Sequence, residues 1–191
     1  MSQVAIVYFS GQNHTHQLAE SIAAGVKKVA GVSVELLRIL PEKIEQGRFK
    51  CPDTMAKLAV ADTIVFGTPT YMGGYAAQFK AFIDAASEAW FKLAWKDKLA
   101  AGFTHSLGLS GDKLNTLNGL YINAMQHGMV WLGPALMVEG TDPGNVNRLS
   151  SYSGVMAQTP WGQDSVPEGD LKTAVLFGER LGQATVRWTR A

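Results

Sequence analysis

The sequence contains a single cysteine, Cys51, among its 191 residues. One thiol cannot form an intramolecular disulfide, and it also excludes metal sites built from several cysteines. No apolar run approaches the roughly 18 residues that indicate a membrane-spanning helix, since the stretch at residues 128–138 is much shorter. The first residues lack the cationic segment of a signal peptide. These absences predict a cytoplasmic protein that does not contact membranes.

The sequence also has little net charge. It has 17 Lys and Arg against 16 Asp and Glu, a formal net charge of +1. A near-neutral surface suits nucleic-acid binding poorly, so no nucleic-acid partner is expected. With 47% hydrophobic and 17% charged residues the chain is not of the disordered class. Its length fits one domain that buries about 70% of its unfolded surface, and we predict a single domain over residues 1–191.

Apolar runs and helical spacings alternate along the chain. Apolar runs predict strands at residues 4–9, 63–66, 100–103 and 129–132, and alternating apolar residues predict a further strand at residues 32–36, five in all. The helical spacings predict helices at residues 15–29, 54–60, 76–90, 114–127 and 168–188. This alternation is typical of an α/β fold, a five-stranded parallel sheet sandwiched between helices.

Two stretches remain without a predicted element. Residues 41–52 are interpreted as a loop. Residues 133–167 form a long irregular stretch rich in Gly, Ser, Asn and Pro. Irregular segments of this length in a compact domain are usually functional, so we interpret this one as a loop insertion after the fifth strand begins.

The loop between the first strand and the first helix, residues 10–15, is rich in hydroxyl and amide side chains. A helix N-terminus offers unpaired N–H groups that suit a phosphate. The loop has no Lys or Arg and neither of the glycine patterns of nucleoside triphosphate or dinucleotide sites, which favours a terminal monophosphate. The alternative is an ordinary capped helix start. The candidate phosphate-binding residues are Ser10, Gln12, Asn13, His14 and Thr15.

Two further loops follow the third and fourth strands, beyond the carboxyl ends where such sheets bind ligands. Residues 67–74 combine Gly and Pro with an aromatic side chain that can lie against a ring. Residues 104–111 are small enough for close backbone approach. Each loop alone also fits a plain strand-to-helix turn. The candidate cofactor-binding residues are Pro69, Thr70, Tyr71, Met72 and Gly73 in one loop and Thr104, His105, Ser106, Leu107, Gly108 and Gly111 in the other.

Three segments resemble one known family. Gly67-Thr68-Pro69-Thr70, Gln126-His127-Gly128-Met129-Val130 and Pro160-Trp161-Gly162 are similar, in the same order, to segments of the WrbA family, the FMN-dependent NAD(P)H:quinone oxidoreductases with a flavodoxin-like fold. The sequence departs from the family at Gln12, Asn13 and Tyr71 and across residues 105–110. It is therefore identified as a divergent member.

The resemblance implies FMN as cofactor, NADH or NADPH as electron donor and a quinone as acceptor. It implies that both substrates use one pocket in turn, in a ping-pong mechanism of hydride transfer. It makes His127 the catalytic residue beside the flavin, although a His at a helix end can equally be a structural cap. It assigns Trp90 and Trp161 to the substrate pocket. A homodimer or homotetramer is implied, and no metal site is expected.

Two other functions remain open at this stage. One is an electron-carrier flavodoxin, although such proteins are usually strongly acidic and this chain has a net charge of +1. The other is a flavin reductase, although those proteins commonly carry an Arg in the phosphate loop and residues 10–15 have none.

Overall fold

The computed structural model describes residues 1–190, in which strands and helices alternate. The elements in chain order are β1 (Ser2–Tyr8), α1 (His14–Lys27), β2 (Val32–Arg38), β3 (Ile44–Glu45), β4 (Arg48–Phe49), α2 (Pro52–Val60), β5 (Thr63–Tyr71), β6 (Gly74–Tyr75), α3 (Ala77–Ala85), α4 (Ser87–Phe91), β7 (Leu99–Ser106), α5 (Lys113–Gln126), β8 (Val130–Trp131), β9 (Val155–Gln158) and α6 (Glu168–Trp188).

The central sheet has the order β2-β1-β5-β7, and all of these pairings are parallel. The fifth position is shared by two short strands that both pair with β7. The strand β8 pairs with its beginning, at Leu99 and Ala100, and β9 pairs with its end, from Phe103 to Ser106. The fifth strand is thus interrupted by residues 132–154. The predicted five-stranded parallel sheet, with an insertion after the fifth strand begins, is confirmed.

Alternate residues of the buried strands face two helical layers. On β1, Ala5 and Val7 belong to the core cluster that α2, α3 and α5 complete. Val4 and Ile6 belong to the second cluster, which α1 and α6 cover. Because helices cover both faces, residues 4–7 of β1 and 64–66 of β5 are apolar without a break.

The structure corrects several predicted boundaries near the site. The strand β5 continues past Phe66 to Tyr71, because its end pairs with β6 in a hairpin. The strand β7 continues past Phe103 to Ser106, because β9 supplies a pairing partner there. Several residues predicted to lie in loops, from Gly67 to Thr70 and from Thr104 to Ser106, are therefore ends of strands.

Other corrections lie farther from the site. The single helix predicted at residues 76–90 is two helices, α3 and α4, that meet at Ala86. The predicted loop at residues 41–52 contains a 3-10 turn at Pro41–Lys43 and the antiparallel pair β3 and β4. The second helix begins at Pro52, whose fixed φ suits a first helical position.

Candidate functional site

A cavity of about 480 Å³ lies where β1, β5 and β7 end. Its size is within the range of small-molecule sites. Three segments of chain surround it, and each follows one of these strands. The lining residues are Gly11, Gln12, His14, Thr15, Pro69, Thr70, Tyr71, Met72, Gly73, His105, Ser106, Leu107, Gly108 and Gly111.

The first segment turns the chain into α1. Asn13 stands before the helix in the left-handed conformation, with φ of 68°, as expected for a residue type that tolerates it. The first bond of the helix runs from Gln17 N to Asn13 O, so the N–H groups of His14 and Thr15 precede the hydrogen-bonded turns. Ser10 Oγ accepts from His16 N at 3.2 Å. The segment presents a helix N-terminus to the cavity.

Arg38 supports this segment from the end of β2. Its Nη2 donates to the carbonyl oxygen of Ser10 at 3.1 Å. The segment itself has no Lys or Arg, so this guanidinium places a positive charge beside a loop that lacks one. Sequence reasoning missed Arg38, because the pairing of β1 with β2 is what brings it there.

Two buried histidines join the first and third segments. The rings of His14 and His105 stack with centroids 4.5 Å apart and planes inclined by 20°. His14 Nε2 lies 3.0 Å from the carbonyl oxygen of Gln163, and His105 Nε2 lies 2.9 Å from Thr159 Oγ1. Burial, with smaller contributions from His14 and Lys113, lowers the pKa of His105 to about 3. His105 is therefore neutral at neutral pH.

The second segment is the hairpin between β5 and β6. Its two turn residues, Met72 and Gly73, both have positive φ, 48° and 76°, as in the turns that join two strands tightly. The hydroxyl of Thr70 lies 2.8 Å from that of Thr104 and 2.7 Å from that of Thr116, which anchors the hairpin to β7 and α5. The hairpin tip thus forms one wall of the cavity, with Met72 fully exposed.

The third segment, residues 106–111, connects β7 to α5. Ser106 Oγ donates to the carbonyl oxygen of Gly108 at 2.9 Å. Gly111 has φ of +54°, and a Cβ there would lie 2.3 Å from Ser106 Oγ, so only glycine fits this position. Lys113, at the start of α5, lies buried behind the segment, and burial lowers the pKa of its ammonium group to about 8.

Most of the predicted cofactor-binding residues thus surround one cavity. Three of them do not line it: Ser10 and Thr104 are buried, and Asn13 is exposed just before α1. Gly11 lines it and was not singled out by sequence reasoning, although it lies within the predicted loop. A Cβ at Gly11 would lie 2.5 Å from the hydroxyl of Tyr71, and this close approach between two segments has no signal in the sequence.

The structure places His127 elsewhere. It follows the last turn of α5, whereas the cavity lies at the first turn, about 20 Å away along the helix axis. Its ring packs against Trp95, with centroids 4.2 Å apart, and its buried Nδ1 has no hydrogen-bond partner. Burial lowers the pKa of His127 to about 4. Within one chain, His127 therefore does not reach the cavity.

The two tryptophans assigned to the substrate pocket are also separated. Trp90 lines a second cavity of about 380 Å³ together with His127, Arg48, Asp84 and Asn123. Trp161 is largely exposed and lines a smaller cavity that shares Gln12, His14 and Leu107 with the main one. Trp161 is therefore a neighbour of the main cavity, and Trp90 is a neighbour of His127.

Residues 1–190 contain no cluster of three or more His, Cys, Asp or Glu side chains that could hold a metal ion. None of the helices in the same residues combines the length and apolar character needed to span a bilayer.

The chain matches the family described as NADPH-dependent FMN reductase over residues 4–142. It is 35% identical over 188 residues to Flavodoxin FldP from Pseudomonas aeruginosa, covering 96% of each chain. It is 30% identical over 212 residues to an NAD(P)H dehydrogenase (quinone) from Trichlorobacter lovleyi, covering 99% of this chain and 100% of the relative.

Solved structures of similar proteins point to the same family and fold. A flavodoxin, WrbA-like protein from Agrobacterium tumefaciens is 38% identical, with a TM-score of 0.77, and the match covers 98% of this chain and 99% of that one. A flavodoxin from the domain Archaea, 16% identical with a TM-score of 0.64, shares the fold. The flavodoxin-like fold predicted from the sequence is confirmed, and so is the resemblance to WrbA-like proteins.

Proposed function

Because the chain belongs to the NADPH-dependent FMN reductase family, we propose that its main cavity holds FMN and that the protein transfers two electrons from NADH or NADPH to a quinone. The observation that carries this function is the convergence of three segments, from β1, β5 and β7, on one cavity. Relatives named NAD(P)H dehydrogenase (quinone), each about as long as this chain, support the donor and the acceptor.

The residues of the first segment fit a phosphate. The N-terminus of α1 supplies N–H groups and a partial positive charge, and Thr15 adds a hydroxyl. The first turn of the helix contains no acidic residue that would repel an anion. Arg38 reinforces the field from behind Ser10. We assign Ser10, Gln12, Asn13, His14 and Thr15 to the phosphate end of FMN.

The other two segments fit a flat ring. Tyr71 and Met72 stand on one side of the cavity, and the backbone of residues 106–108 stands on another. Neutral His105 adds no charge at this wall. When bound, FMN supplies the chemistry of electron transfer, and the chain's task is to bind it, orient it and leave room for the substrates.

His127 and Trp90 keep their proposed roles only in an oligomer. They share a cavity lined by residues of α4 and α5, and the same two helices carry the exposed apolar side chains of Phe91, Tyr121 and Ile122. We propose a homodimer or homotetramer in which this surface faces the main cavity of a neighbouring copy. His127 then meets the quinone bound by that copy, and Trp90 and Trp161 flank it.

We further assign the protein to the cytoplasm. Its lone Cys51 is a free thiol, as is usual in a reducing compartment. Neither nucleic acid nor a membrane is a proposed partner, since the formal net charge is only +1.

Steady-state kinetics test the proposed reaction. If both substrates use the one cavity in turn, initial rates at several fixed quinone concentrations give parallel double-reciprocal lines against NAD(P)H concentration. Intersecting lines would contradict the shared site. FMN content of the purified protein, measured in the same samples, checks the cofactor.

The relative named Flavodoxin FldP favours one second candidate, an electron carrier. A carrier accepts electrons from a separate reductase, whereas the proposed enzyme accepts them from NAD(P)H directly. FMN reduction by NAD(P)H with no other protein present therefore separates the two functions.

A further inference from the structure

Buried side chains bind three consecutive carbonyl groups of the third segment from behind. Gln158 Nε2 donates to the carbonyl oxygen of Leu107 at 2.8 Å. Lys113 Nζ donates to those of Gly108, at 2.8 Å, and Leu109, at 2.9 Å. The carbonyl groups of residues 107–109 therefore all point into the protein.

This arrangement fixes where the amide groups of the segment point. Residues 1–190 contain no cis peptide bond. In a planar trans peptide the N–H points opposite to the C=O of the preceding residue. The N–H groups of Gly108, Leu109 and Ser110 are consequently directed away from Lys113 and Gln158. Of these residues, Gly108 lines the main cavity, and Leu109 and Ser110 line a neighbouring one. Successive amides turned outward in this way make an anion-binding surface.

Lys113 adds a full positive charge immediately behind this surface. Its side chain is only 1% exposed, and its Nζ lies 2.8 Å from Oγ of Ser106, which lines the cavity. Within residues 1–190 no carboxylate forms an ion pair with Lys113. The nearest influential carboxylate, Asp170, is already bound by Arg148 through two bonds of 2.8 Å.

Arg148 and Asp170 hold Gln158 in place. Arg148, which lies in the interrupted fifth strand's insertion, donates to the carbonyl oxygen of Gln158 at 2.7 Å and to its Oε1 at 3.2 Å. Asp170 also accepts from Gln158 N at 2.9 Å. The amide of Gln158 is thus oriented so that its Nε2 reaches Leu107. Arg148 and Asp170 therefore bond to each other and to Gln158, and neither of them bonds to Lys113.

We propose that Lys113 is a positioning residue that stabilises the negative charge gained by FMN on reduction, so that the protein binds reduced FMN more tightly than it would without this cation. Reduction by NAD(P)H adds two electrons and one proton to FMN and releases NAD(P)⁺, so the bound cofactor gains one negative charge. The inference rests on the proposed function, since it places FMN in the main cavity.

The test compares FMN binding in both redox states for the full-length wild type and Lys113→Met, which keeps the length of the side chain and removes its charge. Apoprotein is titrated with oxidised FMN and, anaerobically, with dithionite-reduced FMN, and the two-electron midpoint potential is measured independently. We expect the Kd of reduced FMN to rise about tenfold more than that of oxidised FMN. For a two-electron couple this lowers the potential by about 30 mV.

Lys98→Met is the matched control. Lys98 is also partly buried and also donates to two carbonyl oxygens, those of Ala59 and Ala61. It precedes β7, at the opposite end of the strand from the cavity. We expect this variant to leave the ratio of the two Kd values unchanged. Lys113→Gln, which loses the charge and keeps hydrogen-bonding capacity, serves where Lys113→Met does not fold.

The outcomes separate the inference from the proposed function. If neutral variants at Lys113 weaken both redox states equally and leave the potential unchanged, Lys113 only shapes the loop and the inference is overturned while the function stands. If wild-type protein does not bind FMN at all, both are overturned. A fall in potential confined to the variants at Lys113 supports the inference.

Discussion

At the scale of single residues, burial determines the charge of two histidines. His105 and His127 both have a lowered pKa, to about 3 and about 4, and desolvation is the largest cause for each. His105 stands at the main cavity and His127 at the far end of α5. The same physical effect therefore acts at two places with different proposed roles.

His127 makes the fold sensitive to acid. Its pKa in the folded chain lies below the ordinary value of 6.5, so the unfolded chain binds the proton more tightly. Stability is then complete above about pH 6.5 and is lost as pH falls toward 4. We expect His127→Phe to remove roughly 1–3 kcal/mol of the acid-induced loss between pH 7 and pH 4.

Urea unfolding of wild type and variant at both pH values measures this difference. His105 contributes to the acid loss in both proteins and cancels in the comparison. Equal pH dependence in the two proteins would show that folding does not lower the pKa of His127.

Thr15 tests the phosphate assignment. It is buried at the N-terminus of α1 and lines the cavity. Thr15→Asp places a negative charge beside the proposed phosphate, and we expect FMN binding to weaken by about 100-fold. Thr15→Val, which removes the hydroxyl and adds no charge, should cost much less. Fluorescence titration with FMN compares the variants, and equal affinity of Thr15→Asp and wild type would refute the assignment.

Residue types predicted the site better than they predicted its supports. The hydroxyl-rich residues 10–15 indicated a phosphate loop from local chemistry alone, and its role stays a prediction. Lys113 gave no such signal, because a lysine at the start of an amphipathic helix normally lies in solvent. Its burial depends on the carbonyl groups of Gly108 and Leu109, which the fold brings to it.

At the scale of elements, the close contact of α1 with α6 depends on glycine. A Cβ at Gly178 would lie 2.0 Å from the carbonyl oxygen of Ile22, and one at Gly25 would lie 2.0 Å from that of Val175. Each helix therefore presents bare backbone to the other. Because α1 also carries the first segment at its N-terminus, this packing determines where the proposed phosphate site stands.

We expect Gly178→Ala to destabilise the fold by about 1–3 kcal/mol, because backbone of α1 has to move away. Gly182→Ala in the same helix is the matched control, since it gains the same helix propensity. Its Cβ would lie 3.0 Å from the side chain of Val29 and no closer than 3.4 Å to backbone, at the carbonyl oxygen of Val26. Urea denaturation measures both. A cost for Gly178→Ala no greater than that for Gly182→Ala would contradict the packing.

The apolar middle of a strand could be predicted from the sequence, whereas the residues at its ends could not. The run at residues 63–66 indicated β5, but its continuation to Tyr71 depends on the hairpin with β6 and on β7. The strand β9 was missed altogether within the irregular stretch. Its sequence, Val155–Gln158, is a short apolar run that could have been recognised, but only pairing with β7 makes it a strand.

At the scale of the whole molecule, we expect an oligomer. Phe91, Tyr121 and Ile122 are exposed on α4 and α5, the helices that also supply Trp90 and precede His127, and exposed apolar surface marks interaction sites. We expect sedimentation equilibrium at micromolar protein to give a dimer or tetramer. Ile122→Lys should shift the protein toward the 20.6 kDa monomer, and a wild type that is already monomeric would contradict the proposed role of His127.

The arrangement of the whole molecule was beyond sequence reasoning in one respect. The family resemblance joined His127 to the flavin, whereas His127 and the main cavity lie at opposite ends of α5 within one chain. The length of the helix fixes this separation, and only a second copy removes it. The fold class followed from alternating strands and helices, because covered parallel sheets have few arrangements.

If this chain alone carries electrons from NAD(P)H to a quinone through FMN, an anaerobic titration resolves both transfers. Purified protein with one FMN per chain is mixed with one equivalent of NADPH or NADH, and then with one equivalent of benzoquinone. We expect the flavin absorbance near 450 nm, about the value typical of oxidised flavins, to be lost in the first step and restored in the second. If dithionite bleaches the flavin and neither NADH nor NADPH does, the proposed transfer of electrons from NAD(P)H is contradicted.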